Sequence, residues 1–276
     1  MPMKTVRFKT LLVYALLLAM TLIYMGPFLF SVSISFSSGK DVFRWPIRLI
    51  PDRWTLENYE RVWQELPFGR WLFNSVIVAA VQTVSNLFFA SLAGFTFARL
   101  RFAGKNVIFM LFLATLMIPG IILIVPQFLI LNQFRLINTY AGLILPGVVT
   151  VVSIFLMKQF FETIPRDLED AARIDGCSHF RLFWQIFLPV STPALAAVAI
   201  YTFQGSWNNF LWPVIVTTTK EMFTLPVGMA YFRHEYQVQW TLLMAGTVLI
   251  SLPILLIFLI FQRYFVQGIA TMGLKE

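Results

Sequence analysis

A single cysteine, Cys177, excludes an intrachain disulfide, and with only His179 and His234 beside it a zinc site of Cys and His ligands is excluded as well. Cys177 therefore reads as a plain small residue. Charge is scarce too. Asp, Glu, Lys and Arg make up 12% of the 276 residues, against about 25% in an ordinary soluble domain. The scarcity is concentrated: residues 11–36, 71–98, 107–131, 141–157, 185–204 and 242–262 carry no charged side chain, and together they form half the chain. This distribution excludes a water-soluble enzyme and a disordered tail.

Other absences narrow the choice further. The apolar runs do not alternate with polar residues, as strands of a membrane β-barrel would; LLVYALLLAM and PILLIFLIF are continuous. None of the six runs holds the carboxylate or histidine in which a proton- or sodium-coupled carrier seats its ion. No G-x-x-x-x-G-K-[ST] phosphate cradle exists, because Gly104-Lys105 is followed by Asn106 and lacks the upstream glycine. If transport is active, its engine is another subunit.

What is present is a polytopic, all-α membrane protein. A spanning helix needs about 20 apolar residues, so the six runs predict six transmembrane helices in a single domain over residues 1–276, with 141–157 drawing on its flanks. The first run follows Lys4, Arg7 and Lys9 but is too long for a signal core and ends at no small-x-small site, so it is expected to be a retained helix. The net charge of +8 could speak for nucleic acid; the positive-inside rule accounts for it more simply. With the N-terminus in the cytoplasm, inner segments hold 12 Lys and Arg and outer segments 9, and both termini are cytoplasmic.

Residues 37–70 form the largest outer loop, in which Thr55 is a plausible N-cap for a short helix. Pro119-Gly120, Pro126, Pro189, Pro193 and Pro253 are expected to interrupt helices, either as packing kinks or as broken backbone lining a path. On the second helix Gln82 and Asn86 share a face, as helix–helix glue or as the lining of a route for a neutral, hydroxylated solute. Seven of eight tryptophans (Trp45, Trp54, Trp63, Trp71, Trp207, Trp212 and Trp240) fall in outer loops or at outer helix ends, where a membrane-interface belt is the default. Pyranose faces also pack on aromatic rings while sugar hydroxyls seek amides. Gln204, Trp207, Asn208 and Asn209 are accordingly the candidates for contact with substrate.

The loop 158–184 is expected on the inner side. Within it, Pro165 suits a first helical position, Asp167 and Glu169 put negative charge in the first turn, and Gly176 stops the helix. Leu168, Ala171, Ala172 and Asp175 recur at spacings of three and four, which predicts a short amphipathic helix lying against the membrane face.

At these residues the chain resembles a known family. Asp170-Ala171-Ala172, Gly176 and Ile186-Phe187-Leu188-Pro189 are similar to the EAA loop of ABC importer permeases. DLEDAARIDG, QGSWNNFLWPVIV, TLPVGMA at 224–230, LLMAGTVL at 242–249 and QRYFVQG at 262–268 look like the maltose-type, carbohydrate branch. The resemblance covers nearly the whole chain and is densest over 165–268.

It implies a type I ABC importer permease of the prokaryotic inner membrane, with a cytoplasmic coupling helix between helices four and five. Partners so implied are a second permease, two copies of a cytoplasmic ABC ATPase and an extracytoplasmic substrate-binding protein. Cofactors are implied only on the ATPase, which holds ATP and Mg; this chain is a transport subunit, not an enzyme. Coupling falls to Glu169, Asp170, Ala171, Ala172, Asp175 and Gly176. Asp170 stands where the family carries Glu, one methylene shorter, so either a closer approach or Glu169 supplies the ATPase contact. The last outer loop, 217–239, with Lys220, Glu221, Arg233, His234 and Glu235, is implied to meet the binding protein, and the tail after Arg263 to reach the ATPase. The alternatives are a stand-alone secondary carrier or channel for a neutral polar solute and, third, a membrane-embedded enzyme.

Overall fold

The computed structural model describes residues 3–38, 50–235 and 239–272, with side chains for 10–38, 50–233 and 239–260. Lys40 and Trp45 lie outside the described residues, as do the side chains of Lys4, Arg7, Lys9, His234, Glu235 and Arg263. Among the described residues every regular element is helical. In chain order they are α1 (Met3–Ser35), α2 (Glu57–Glu65), α3 (Phe68–Arg99), α4 (Lys105–Thr115), α5 (Ile124–Gln133), α6 (Tyr140–Ile144), α7 (Val151–Thr163) and α8 (Arg166–Ile174). Then follow α9 (His179–Leu182), a π-helical turn (Phe183–Phe187), α10 (Leu188–Val190), α11 (Thr192–Trp207), α12 (Leu211–Val216), α13 (Leu225–Glu235) and α14 (Trp240–Met272).

Three helical stretches are long and apolar enough to cross a membrane alone: Thr10–Ser35, Phe68–Arg99 and Trp240–Ile260. Three bent pairs qualify jointly. Lys105–Thr115 meets Gly120–Gln133 at 90°, Tyr140–Gly147 meets Val151–Thr163 at 42°, and His179–Val190 meets Thr192–Trp207 at 78°. The spans therefore number three, or up to six when each pair is one span.

The bends follow the prolines only in part. Pro119-Gly120 opens the 90° bend, and Pro189 and Pro193 flank the 78° bend at Ser191. Pro126, however, sits in the first turn of α5, where its missing N–H has no helical partner to lose. Pro253 lies inside the unbroken α14. The expected interruptions at these two positions are absent. A bend the proline reading passed over lies after Pro146-Gly147, just before Thr150 caps α7 by accepting from the Ser153 N–H.

The chain falls into two compact units, Met1–Phe68 with Met229–Leu252, and Gly69–Gly228 with Pro253–Glu276. In the first, Asn58 is buried and donates to the carbonyls of Ser35 and Ser37 at 2.8 and 2.9 Å, while Tyr59 and Ser35 share a 2.7 Å hydroxyl bond. Thr55 accepts from the Glu57 N–H at 3.1 Å, so its hydroxyl does help start α2, one residue ahead of the Leu56 cap position.

In the second unit α3 is the central post. At Gly94 a Cβ would lie 2.7 Å from the Cβ of Met157 and 2.9 Å from the Lys158 nitrogen, so glycine permits α3 and α7 to cross closely. Below that crossing, Phe95, Phe161, Phe183 and Phe187 form a buried aromatic core with ring centroids 5.1–6.1 Å apart.

Of the six described tryptophans assigned to the belt, three are buried and so cannot serve in it. Trp54, Trp63 and Trp240 are exposed, whereas Trp71, Trp207 and Trp212 are buried. The indole N–H groups of Trp71 and Trp212 donate inward, to the carbonyls of Lys220 and Gly142 at 2.8 and 3.0 Å, which makes them structural pegs.

Candidate functional site

The α8 segment is a short helix with both ends defined. Pro165 is the N-cap, one residue before the first helical position expected of it. Asp167 and Glu169 occupy the first turn and Arg173 the last, matching the helix dipole. At the other end the Gly176 N–H donates to the Arg173 carbonyl at 3.0 Å and the Cys177 N–H to the Ala172 carbonyl at 2.9 Å, with Gly176 at φ +75°. These two bonds are the Schellman pattern, and the left-handed residue at its centre favours glycine.

Which face of α8 packs inward differs from the expected stripe. Glu169 and Ala172 are buried, while Leu168, Asp170, Ala171, Ile174 and Asp175 are exposed, Ile174 at 87%. The reason is electrostatic. Arg173 contacts the Glu169 carboxylate at 2.6 Å, and the buried Arg99 guanidinium at the end of α3 stands 3.7 Å from its other oxygen. Arg99, the partner that lies off α8, holds the acid inward, while Arg173 pairs with it along the same helix. Among the described residues no hydrogen bond or ion pair engages Asp170. The outward face thus offers two aliphatic side chains, two acids and a small residue.

A second constellation lies at the level where two helices break. Gln82 donates to the carbonyls of Leu143 and Ile144 at 3.1 and 3.2 Å. Asn86 donates to the Gly147 carbonyl at 2.7 Å and accepts from the Thr150 N–H at 2.9 Å. Both amides are buried and serve backbone freed at the α6–α7 bend. Beside them is a cavity of about 450 Å³ lined by Gln82, Gln127, Thr150, Thr202, Ser206 and Asn209, with Tyr201 and Trp212 among the aromatic walls. Among the described residues no ionisable acid or base lines it apart from the Tyr201 phenol. The Ser206 hydroxyl is buried there without a hydrogen-bond partner.

Of the residues singled out from sequence, the cavity brings together Gln82 and Asn209. Asn86 supports its wall through Gly147 and Thr150. Gln204 and Asn208 are exposed elsewhere, and Trp207 is buried, stacked on Phe203 at 5.4 Å. Sequence reasoning passed over Gln127, Thr150, Thr202 and Ser206, whose hydroxyls and amide are unremarkable until the bends bring them together. It also passed over Arg99; the visible signal was a basic residue closing a charge-free run.

The stretch 217–223 is staked down by its backbone. Asn74 donates to the carbonyls of Glu221 and Phe223 at 2.7 and 2.8 Å, and Asn138, at φ 59°, accepts from the N–H groups of Thr218 and Thr219. The side chains of Lys220 and Glu221 are exposed.

Comparison with known proteins gives a consistent picture. The family model for binding-protein-dependent transport system inner membrane components matches residues 86–271. The chain is 39% identical over 252 residues to an arabinooligosaccharides transport system permease protein of Halalkalibacterium halodurans, covering 90% of each chain. It is 36% identical over 254 residues to a diacetylchitobiose uptake system permease protein of Streptomyces coelicolor (91% of this chain, 84% of that one). An sn-glycerol-3-phosphate transport system permease protein of Yersinia enterocolitica is 34% identical over 236 residues (83% and 84%). In fold, it matches a chain of a bacterial ABC transporter involved in alginate import at a TM-score of 0.85, with 23% identity and 94% and 97% coverage.

Proposed function

The chain belongs to the family of binding-protein-dependent transport system inner membrane components, and from that premise we propose that it is the permease subunit of an ATP-driven carbohydrate importer. It is a multi-pass membrane transport component rather than an enzyme. In this reading the three unbroken spans and three bent pairs are six transmembrane helices, both termini are cytoplasmic, and α8 is the coupling helix between the fourth and fifth spans. A second permease, two cytoplasmic ATPases that bind ATP and Mg, and an extracytoplasmic binding protein complete the machine.

The observation that carries the reading is the outward face of α8. Leu168 and Ile174 stand exposed beside the unengaged Asp170, on a helix whose inner face is tied down by Glu169 and Ala172. Apolar surface flanked by charge on a rigid element suits insertion into a partner's cleft. Asp170, with Ala171 and Asp175, then supplies the contact to the ATPase, because Glu169 is taken up inside the chain.

The solute is assigned as a neutral, hydroxylated carbohydrate. The support is the cavity lining, whose polar members are amides and hydroxyls, with no cation or carboxylate among the described residues, together with relatives whose names specify arabinooligosaccharides and diacetylchitobiose. Gln127, Ser206 and Asn209 are the groups placed to take solute hydroxyls. The exposed Lys220 and Glu221 face the binding protein in this reading.

Two measurements test this. Gly176→Leu forces a branched residue into φ +75° with no neighbour to clash against, at a backbone cost of about 1–2 kcal/mol. The variant is expected to stay in the membrane and to lose ATP-dependent uptake in proteoliposomes; normal uptake would sink the coupling assignment. Asn209→Ala and Ser206→Ala are expected to raise the KM for uptake about tenfold each, and an unchanged KM would make those residues structural.

A further inference from the structure

We propose that Arg99 is a positioning residue that fastens the docking helix α8 to two transmembrane segments at once, so that displacement of α8 moves them together. This rests on the reading of α8 as the ATPase-docking element. Arg99 is the last residue of α3, and its side chain is 6% exposed. Its Nη2 donates to the carbonyl of Phe161 at 2.5 Å and to that of Ile164. Both belong to the C-terminal end of α7, where helical carbonyls run short of intrahelical donors. Its Nη1 faces Glu169 of α8 at 3.7 Å, and its Cζ lies 4.9 Å from the ring centroid of Phe187 in the π-helical turn.

One planar cation thus touches the end of α7, the buried acid of α8 and the turn that leads into α11. A lysine has a single charged point and cannot occupy these directions together. The Nε of Arg99 is buried without a partner; its hydrogen bonds come from Nη2, and Nη1 meets Glu169 as an ion pair. The link is specific to one face: Glu169 keeps Arg173 as a second partner, but that residue belongs to α8 itself and fastens nothing beyond it.

A purely structural arginine would, when removed, lower the amount of folded protein without changing solute moved per ATP hydrolysed. The test therefore reads that ratio in reconstituted complexes carrying R99M, R99K or E169Q. E169Q cuts the α8 end of the link while leaving the clamp on the α7 carbonyls. We expect co-purification with the ATPase to persist and the transport-to-hydrolysis ratio to fall about tenfold in R99M and E169Q, with a smaller fall in R99K. A wild-type ratio in E169Q overturns the proposal, whether or not R99M accumulates. Amide hydrogen exchange over residues 166–176, read in the chain co-purified with a second permease, separates this from failure of the docking reading. Exchange about tenfold faster in E169Q supports the fastening even if the wild-type complex shows no ATP-coupled uptake, which would sink the docking reading alone. Unchanged exchange overturns the fastening.

Discussion

Glu169 and Asp170 are adjacent acids with opposite surroundings. Glu169 is buried between two arginines, and Asp170 is exposed without a partner. Removing charge from each should separate stability from coupling. Asp170→Asn is expected to leave thermal unfolding of the detergent-solubilised permease pair unchanged while weakening ATPase binding about tenfold. Equal affinity of the Asn variant and wild type in a pull-down titration would remove Asp170 from the docking surface. At this scale the sequence was informative about residue type more than about facing. The Gly176 stop and the acidic first turn of α8 were legible because they follow from the chemistry of helix ends. The inward roll of Glu169 was not, since its cause, Arg99, lies 70 positions away along the chain.

The element scale is governed by broken helices and what satisfies them. Gln82 and Asn86 supply amides to the carbonyls of Leu143, Ile144 and Gly147. The shared face of these two residues was readable from a four-residue spacing; that it meets a helix break was not, because the bend after Pro146-Gly147 sits inside an otherwise uniform apolar run. Asn86→Leu removes a buried acceptor and donor together, stranding the Gly147 carbonyl and the Thr150 N–H. The expected cost is about 2–4 kcal/mol, seen as a lower unfolding temperature and a lower yield of monodisperse protein. An Asn86→Leu variant as stable as wild type would show that water or lipid headgroups replace the amide. Proline proved an uneven guide for the same physical reason. In apolar surroundings a helix persists wherever the remaining backbone can satisfy itself, as α14 does around Pro253.

For the whole molecule, the charge-free half of the sequence specified membrane and helix, and the family resemblance specified the kind of machine. What composition could not show is how little of the apolar surface this chain covers by itself. From Thr10 to Met25 the α1 side chains are exposed, apolar and polar alike, and Met117, Ile121, Ile122 and Val125 project outward around the α4–α5 bend. In the proposed assembly a second permease is the expected cover for this apolar face. Expressed alone, the chain should aggregate or be degraded, and co-expression with the proposed second permease should restore a single peak on size exclusion. A monodisperse, thermally stable lone chain would contradict that dependence.

The amides of Gln82 and Asn86 also impose an order in time. Residues 68–99 leave the ribosome before residues 140–163, so the donors are already in the membrane when the broken α6–α7 pair arrives with its unsatisfied carbonyls. A lateral exit of α6 and α7 into lipid without α3 alongside would strand those groups in hydrocarbon. The break can therefore be inserted only against a helix made earlier, and a permuted chain that synthesised α6 and α7 first would meet its energetic barrier during insertion rather than in the finished protein.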